Sequence, residues 1–160
     1  MIVVHHLNNS RSQRILWLLE ELGLEYDLKR YQRDARTMLA PPELRAVHPL
    51  GKSPVITDGG LTIAESGAIV EYLAGKYGGR GSTPGLVPAA GTPERLRYSY
   101  WLHFAEGSAM PPLLMKLIFD RIESGPLPFF VRPFARAIAG KAKSAFVMPN
   151  INRILDFMEG

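Results

Sequence analysis

A run of glycine and proline between residues 78 and 93 constrains this chain more than any other feature. Gly78, Gly79, Gly81, Gly85 and Gly91 alternate there with Pro84, Pro88 and Pro93. Both residue types interrupt helix and strand alike, so the run reads as a linker between two pieces of different character. The chain has 160 residues, 46% of them apolar, which is enough for two small domains with real cores and too much for a disordered chain. The expected division is a domain over 1–80, a linker over 81–92 and a second domain over 93–160.

The first piece alternates strand and helix signals. Ile2 to Leu7 is short, apolar and β-branched at its start, which predicts a strand. Ile15, Leu18, Leu19 and Leu22 recur at helical spacing with Glu20 and Glu21 opposite, and Gly23 stands where such a helix ends. A second strand is expected near Glu25 to Tyr31, and an irregular helix over 35–47. Pro54 to Asp58 and Leu61 to Glu65 flank Gly59-Gly60 as the two arms of a hairpin. Ser66 then opens a helix through Tyr77, with Ile69, Val70, Leu73 and Tyr77 available to a core. The order β-α-β-α-β-β-α is that of an α/β unit.

The second piece carries no convincing strand. Thr92-Pro93-Glu94 combines a capping residue, a first-turn proline and a first-turn acid, a good helix start. Leu96, Tyr100, Leu102, Phe104 and Ala105 are available for packing. Pro111-Pro112 is expected to break or kink that helix, and Gly125-Pro126-Leu127-Pro128 to end the next. Pro133 suits the first turn of a further helix running toward the 150s.

Composition narrows the function classes. Cysteine is absent, which removes disulfides, thiolate metal clusters and any protein-thiol nucleophile, and is compatible with the cytoplasmic location expected here. The net charge of +4 is too mild to argue for nucleic acid. The start, Met1-Ile2-Val3-Val4-His5-His6, has no basic region leading into an apolar run, and no stretch approaches the ~18 apolar residues of a membrane span. Residues 124–155 carry Arg132, Arg136, Lys141, Lys143 and Arg153 among Phe129, Phe130, Phe134 and Phe146, with no acid. That pattern reads as a solvated helical face, a surface-binding helix being the rarer alternative. No nucleic-acid or membrane partner is expected.

Three short segments carry candidate chemistry. In Asn8-Asn9-Ser10-Arg11-Ser12-Gln13-Arg14, between first strand and first helix, Ser10 or Ser12 suits a helix cap worth about 1 kcal/mol. A hydroxyl there also faces the positive end of the helix dipole, where an anion is stabilised. In His48-Pro49-Leu50-Gly51-Lys52-Ser53-Pro54 the ordinary reading is a turn, and the functional one is a cis Ser53-Pro54 bond that exposes the Ser53 backbone to an extended ligand. In Glu65-Ser66-Gly67, Ser66 suits either a cap or a carboxylate at a helix N-terminus, while Glu65 suits an ammonium group. Together the last pair fits the head of an amino acid. His5 and His6 point to opposite faces of a strand and read as structural. His103 and Glu106 share a helix face without a visible third ligand, so no metal is expected.

Taken together and in this order, the three segments resemble a glutathione transferase. The matching runs are 10–22, 48–55 and 64–73, continued by Tyr100-Trp101-Leu102-His103-Phe104-Ala105-Glu106-Gly107. The resemblance implies an α/β thioredoxin-like N-terminal domain followed by an all-α C-terminal domain. It implies that Ser10 contacts the glutathione sulfur as in serine-type members, with Asn9 as a rival. It implies that Ser53, held by a cis Pro54, pairs with the cysteinyl part, that Glu65 and Ser66 hold the γ-glutamyl head, and that Lys52 meets the glycyl carboxylate. Glutathione is then the co-substrate, a small hydrophobic electrophile its partner, and a homodimer the expected assembly. Tyr100, Phe104, Met110 and Leu114 stand where the family places the second-substrate pocket, though ordinary core explains most of them.

The implied chemistry is modest in energy. A free thiol has a pKa of ~8.5, and lowering it by ~2 units takes roughly 2.7 kcal/mol. One charge-assisted hydrogen bond supplies about 1.5–3 kcal/mol of that. A non-catalytic binding module and a glutathione-dependent peroxidase use the same site and remain open at this point. Family members run on for several more helices beyond Gly160, so the chain reads as a fragment or as a reduced helical domain. Ile151, Ile154, Leu155 and Met158 form an apolar stripe that would lack part of its cover. Lower stability than a longer relative and a tendency to associate are expected, and a monomer with a high, cooperative melting transition would count against both.

Overall fold

The computed structural model describes residues 1–81 and 85–160, so Pro84 of the expected linker lies outside the described residues. The chain forms two compact units, Met1–Leu96 and Arg97–Gly160.

The first unit is built from β1 (Ile2–Leu7), α1 (Gln13–Glu21), β2 (Tyr26–Tyr31), α2 (Pro42–Val47), β3 (Val55–Asp58), β4 (Leu61–Ala64) and α3 (Ser66–Tyr77). The strands lie in the order β2-β1-β3-β4. β1 runs parallel to β2 and antiparallel to β3, and β3 runs antiparallel to β4. This is the thioredoxin-like arrangement. β1 is central and nearly continuous in apolar residues because both of its faces are covered. One face, with Ile2, Val4 and Ile56, packs against Ile15, Leu19 and Leu22 of the α1 segment and Ile69 and Leu73 of α3. The other gathers Leu7, Tyr31, Ala40 and Leu44.

Local chemistry explains most of the element ends. α1 closes as the leucine spacing predicts: Gly23 takes φ +61°, its N–H bonds to Glu20 O at 3.0 Å, and Leu24 N–H bonds to Leu19 O at 3.0 Å. That pair of bonds is a Schellman motif, which needs a left-handed residue at its centre. Gly59 and Gly60 take φ +54° and +89°, the two positive values of a tight hairpin turn.

The irregular helix expected over 35–47 is reduced to Pro42–Val47. Asp34 is the reason. Its Oδ1 accepts from Arg36 N–H (3.0 Å), Thr37 N–H (2.7 Å) and Thr37 Oγ1 (2.9 Å), closing a turn, and Met38 follows at φ +59°. Pro41-Pro42 then permits a helix only from the second proline onward.

The second unit is helical: α4 (Pro93–Phe104, which crosses from the first unit), a π-helical turn at Ala105–Ala109, α5 (Met110–Ser124), α6 (Arg132–Ala142), a second π-helical turn at Lys143–Val147, and α7 (Met148–Glu159). Thr92 caps α4, its Oγ1 accepting from Arg95 N–H at 3.2 Å. Leu96, expected to pack, is 73% exposed instead. Pro111-Pro112 does not break the helix. The wider π turn directly before it closes with Met110 N–H on Ala105 O, and the prolines occupy the first positions of α5, where missing N–H groups cost least. Pro149 sits the same way after the second π turn. The acid-free segment finds its acids on α5: Lys143 Nζ lies 2.7 Å from both Asp120 Oδ1 and Glu123 Oε2. The terminal stripe grades from Ile151, 6% exposed, to Met158, 56% exposed.

One buried charge anchors α3 to the hairpin. Asp58 Oδ2 accepts from Lys76 Nζ (2.7 Å), Tyr72 OH (2.8 Å) and Tyr77 OH (2.5 Å). The Lys76 bond first, then that from Tyr77, lowers the Asp58 pKa to about 2. A depressed carboxylate stabilises the fold above its unfolded pKa and loses that contribution as pH falls through the folded value. Asp58→Asn is therefore expected to cost roughly 2 kcal/mol at neutral pH, with the gap to the unmodified chain shrinking as pH falls from about 4 to about 2. Urea unfolding across that range measures it.

Candidate functional site

Strand register gathers three segments at one end of the sheet. Leu7 pairs with Tyr31, His5 with Val55, and Val55 with Ala64. Residues 8–12, 53–54 and 65–66 therefore all leave the sheet at the carboxyl end of β1, the end at which open α/β sheets bind ligands.

The β1–β3 ladder stops at His5–Val55. Beyond it the Ser53-Pro54 bond is cis, as the functional reading of that segment expects. The Ser53 side chain takes over the pairing that the backbone has left. Its Oγ donates to His5 O at 2.8 Å and accepts from Leu7 N–H at 3.2 Å. The same oxygen accepts from Ser10 Oγ at 3.2 Å. Ser10 is thereby tied to the cis-proline segment, 43 residues away in sequence.

Ser12 is the N-cap of α1, yet its hydroxyl caps nothing. The first turn is closed through the Ser12 carbonyl, which accepts from Ile15 N–H (3.0 Å) and Leu16 N–H (3.1 Å). The fully buried Ser12 hydroxyl lies 2.8 Å from Ser10 Oγ and 2.7 Å from His6 Nδ1. His5, on the opposite face, joins Tyr31 OH through Nδ1 at 2.9 Å, and burial, helped by the Lys29 charge, lowers its pKa. The two histidines do face opposite ways. His6, read from the sequence as structural, ends beside a candidate site residue.

Arg33 is the residue the sequence did not flag. Its backbone N–H donates to Asn8 Oδ1 at 2.7 Å, its Nε to Asn8 O at 3.0 Å, and its Nη1 to Met38 O at 3.0 Å. It thereby pins the loop that carries Ser10 to the loop after β2. Asn9 lies within that loop at φ +51°, exposed, while Ser10 is turned into the hydroxyl cluster. Nothing local marks Arg33, because its Asn8 partner lies 25 residues back along the chain.

Glu65 is the N-cap of α3, with φ +70° and ψ 124° and an exposed side chain; Ser66, buried, is the first helical residue. Positive φ at a residue with a side chain costs of order 1–3 kcal/mol and gathers at ligand sites. Continuing the β3–β4 register by one residue sets Glu65 opposite Pro54. Lys52 is exposed in the preceding loop.

In the second unit Tyr100 and Phe104 stack at 5.7 Å, and Trp101 and Phe157 join them at 5.2–6.2 Å between ring centres. Met110 is half-buried and Leu114 is 48% exposed, so neither belongs to a closed core. Among the described residues no three His, Asp or Glu side chains gather as a metal would require.

A mixed four-stranded sheet with a cis-proline beside the first helix defines a thioredoxin-like domain, and comparison with known proteins narrows the class. Residues 1–75 match the family model of the glutathione S-transferase N-terminal domain. The chain is 40% identical over 161 residues to glutathione S-transferase 3 of Schizosaccharomyces pombe, covering 99% of this chain and 63% of that protein. It is 36% identical over 166 residues to glutathione S-transferase 1 of Saccharomyces cerevisiae, covering 100% of this chain and 69% of that one. A solved glutathione S-transferase from Actinobacillus pleuropneumoniae superposes with a TM-score of 0.64 at 39% identity, over 91% of this chain and 64% of the other. The chain belongs to the glutathione S-transferase family, and it spans somewhat under two thirds of the length of the fission-yeast relative.

Replacing Arg33 with Ala is expected to loosen residues 8–12 without unfolding the sheet. Amide exchange there should quicken at least tenfold, with global stability falling by about 1–2 kcal/mol.

Proposed function

We propose that this protein binds glutathione at the carboxyl end of β1 and transfers its sulfur to a hydrophobic electrophile. The observation that carries the reading is Ser10: its hydroxyl is held beside the cis Ser53-Pro54 segment, at the amino end of α1. In this reading residues 1–80 hold the tripeptide, with the Ser53 backbone along its cysteinyl part. Glu65 meets the γ-glutamyl ammonium group, Ser66 meets the neighbouring carboxylate at the start of α3, and Lys52 meets the glycyl carboxylate. The strained backbone at Glu65 and the exposure of Lys52 support those roles.

Ser10 then donates a hydrogen bond from its hydroxyl, which keeps its proton, to the sulfur. The thiol releases its own proton to solvent, and the thiolate attacks an electrophilic carbon, forming a C–S bond as the leaving group departs with its electron pair. The helix end adds a favourable potential for the anion. Serine-type chemistry is consistent with a chain that has no cysteine, since the ligand brings the sulfur. Exposed Leu113, Leu117 and Ile118 on α5 are apolar surface suited to a second copy of the chain, in keeping with the homodimer of this reading.

Ser10→Ala tests the assignment. Glutathione affinity, by titration calorimetry, should change little, while the bound thiol's pKa, read by thiolate ultraviolet absorbance, should rise toward ~8.5. Turnover of an aryl halide at neutral pH should fall by about 25-fold, as the thiolate fraction does. An unchanged pH profile would remove Ser10 from the sulfur, and binding without any thiolate in the unmodified chain would leave a binding module in place of an enzyme. Glu65→Gln should weaken glutathione binding by about tenfold or more, the loss of one hydrogen bond to a charged group.

A further inference from the structure

Four hydrogen bonds join His6, Ser12, Ser10, Ser53 and the His5 carbonyl into one line: 2.7 Å from His6 Nδ1 to Ser12 Oγ, 2.8 Å from Ser12 Oγ to Ser10 Oγ, 3.2 Å from Ser10 Oγ to Ser53 Oγ, and 2.8 Å from Ser53 Oγ to His5 O. Each hydroxyl owns a single proton. The His5 carbonyl can only accept, so Ser53 must donate to it. Ser10 must then donate to Ser53, and Ser12 to Ser10. Ser12 has no proton left for the imidazole, so His6 must donate from Nδ1. Four bonds consume four protons, and no other assignment satisfies all of them. Both the neutral Nδ1–H tautomer and the imidazolium meet the requirement.

The direction matters for Ser10. A hydroxyl that accepts from Ser12 cannot send its own proton back that way. Its oxygen also lies 3.4 Å from the Ser12 backbone N–H, a second donor. Accepting from donors strengthens an O–H group's own donation. The acceptor it now uses, Ser53 Oγ, is dispensable to both partners. The bond is the longest of the four, and Ser53 stays satisfied by Leu7 N–H and His5 O without it. Were the line reversed, with Ser12 donating to His6 Nδ1, Ser10 would be drawn to donate inward.

We propose that Ser12 and His6 are positioning residues for the thiolate: the line from His6 Nδ1 through Ser12 aims the Ser10 O–H outward, so that a sulfur anion at the mouth of the site accepts its hydrogen bond in place of Ser53. This rests on the glutathione reading above and deepens it. It also accounts for an N-cap serine that caps nothing, and for a histidine whose ring nitrogen is turned into the site.

The test compares Ser12→Ala, Ser12→Thr, His6→Leu and His6→Asn in the full chain; asparagine keeps an N–H donor near the place of Nδ1. Binding of S-methylglutathione, which has no thiol, reports whether the site is intact, and thiolate absorbance against pH reports the sulfur. The expected result is unchanged S-methylglutathione affinity, within about twofold, in all four variants. The bound thiol's pKa should rise enough in Ser12→Ala and His6→Leu to cut neutral-pH thiolate about tenfold, with Ser12→Thr and His6→Asn close to the unmodified chain. A thiol pKa that moves in Ser10→Ala but in neither Ser12→Ala nor His6→Leu overturns the positioning role while leaving the site itself in place. A thiol pKa that does not move even in Ser10→Ala overturns both. Should Ser12→Ala also lose S-methylglutathione binding, the histidine pair decides: equal behaviour of His6→Leu and His6→Asn overturns the proposal.

Discussion

The end of the β1–β3 ladder governs the candidate site. Backbone pairing stops at His5–Val55. Two polar backbone groups of β1, the His5 carbonyl and the Leu7 amide, would otherwise lose their partners on that side, and buried backbone groups do not stay unpaired cheaply. The Ser53 hydroxyl satisfies both, at 2.8 Å and 3.2 Å. A side chain thus replaces a strand. The substitution lets β3 turn away at the cis Ser53-Pro54 bond and leaves a hydroxyl oxygen in reach of Ser10. Sheet geometry and site chemistry here share one residue.

The same economy shows in β1 itself. A buried central strand favours apolar residues on both faces, and β1 follows that rule until His5 and His6. Alternation sends the two rings apart. His5 stacks on Tyr31, with ring centres 5.8 Å apart, and is held toward its neutral form by burial. His6 meets Ser12 at the start of α1. Two adjacent histidines thus send their rings into different packing layers, and only the His6 ring borders the hydroxyl line. In the helical unit, proline placement has an equally local logic. Each π turn stands just ahead of a Met-Pro step, at Met110-Pro111 and Met148-Pro149, so the residue that cannot donate and would strike the carbonyl one turn back meets a widened turn.

Much of this was legible from residue order alone. β1 and α3 have the bounds that their patterns predict, the Gly59-Gly60 hairpin closes where two consecutive positive φ values are needed, and Gly23 ends α1 for the same reason. Those features depend on neighbours within about four positions, where spacing, chirality and missing side chains act directly. Expectations failed where a distant or competing interaction decided. The 35–47 helix lost its first half to the Asp34 turn, while the π turn that stands ahead of Pro111-Pro112 is announced by no periodicity.

What the sequence determined by itself, then, was the order of strands and helices, the turn chemistry and the three segments in which candidate residues lie, because each is written in short-range spacing. Only the tertiary structure decided which of those residues meet. Ser10 reaches Ser53 across 43 residues, Arg33 holds Asn8 across 25, and Ser12 turns from its helix toward His6. Such contacts depend on sheet register and on which hydroxyl owns which proton, quantities that exist only once the strands are paired.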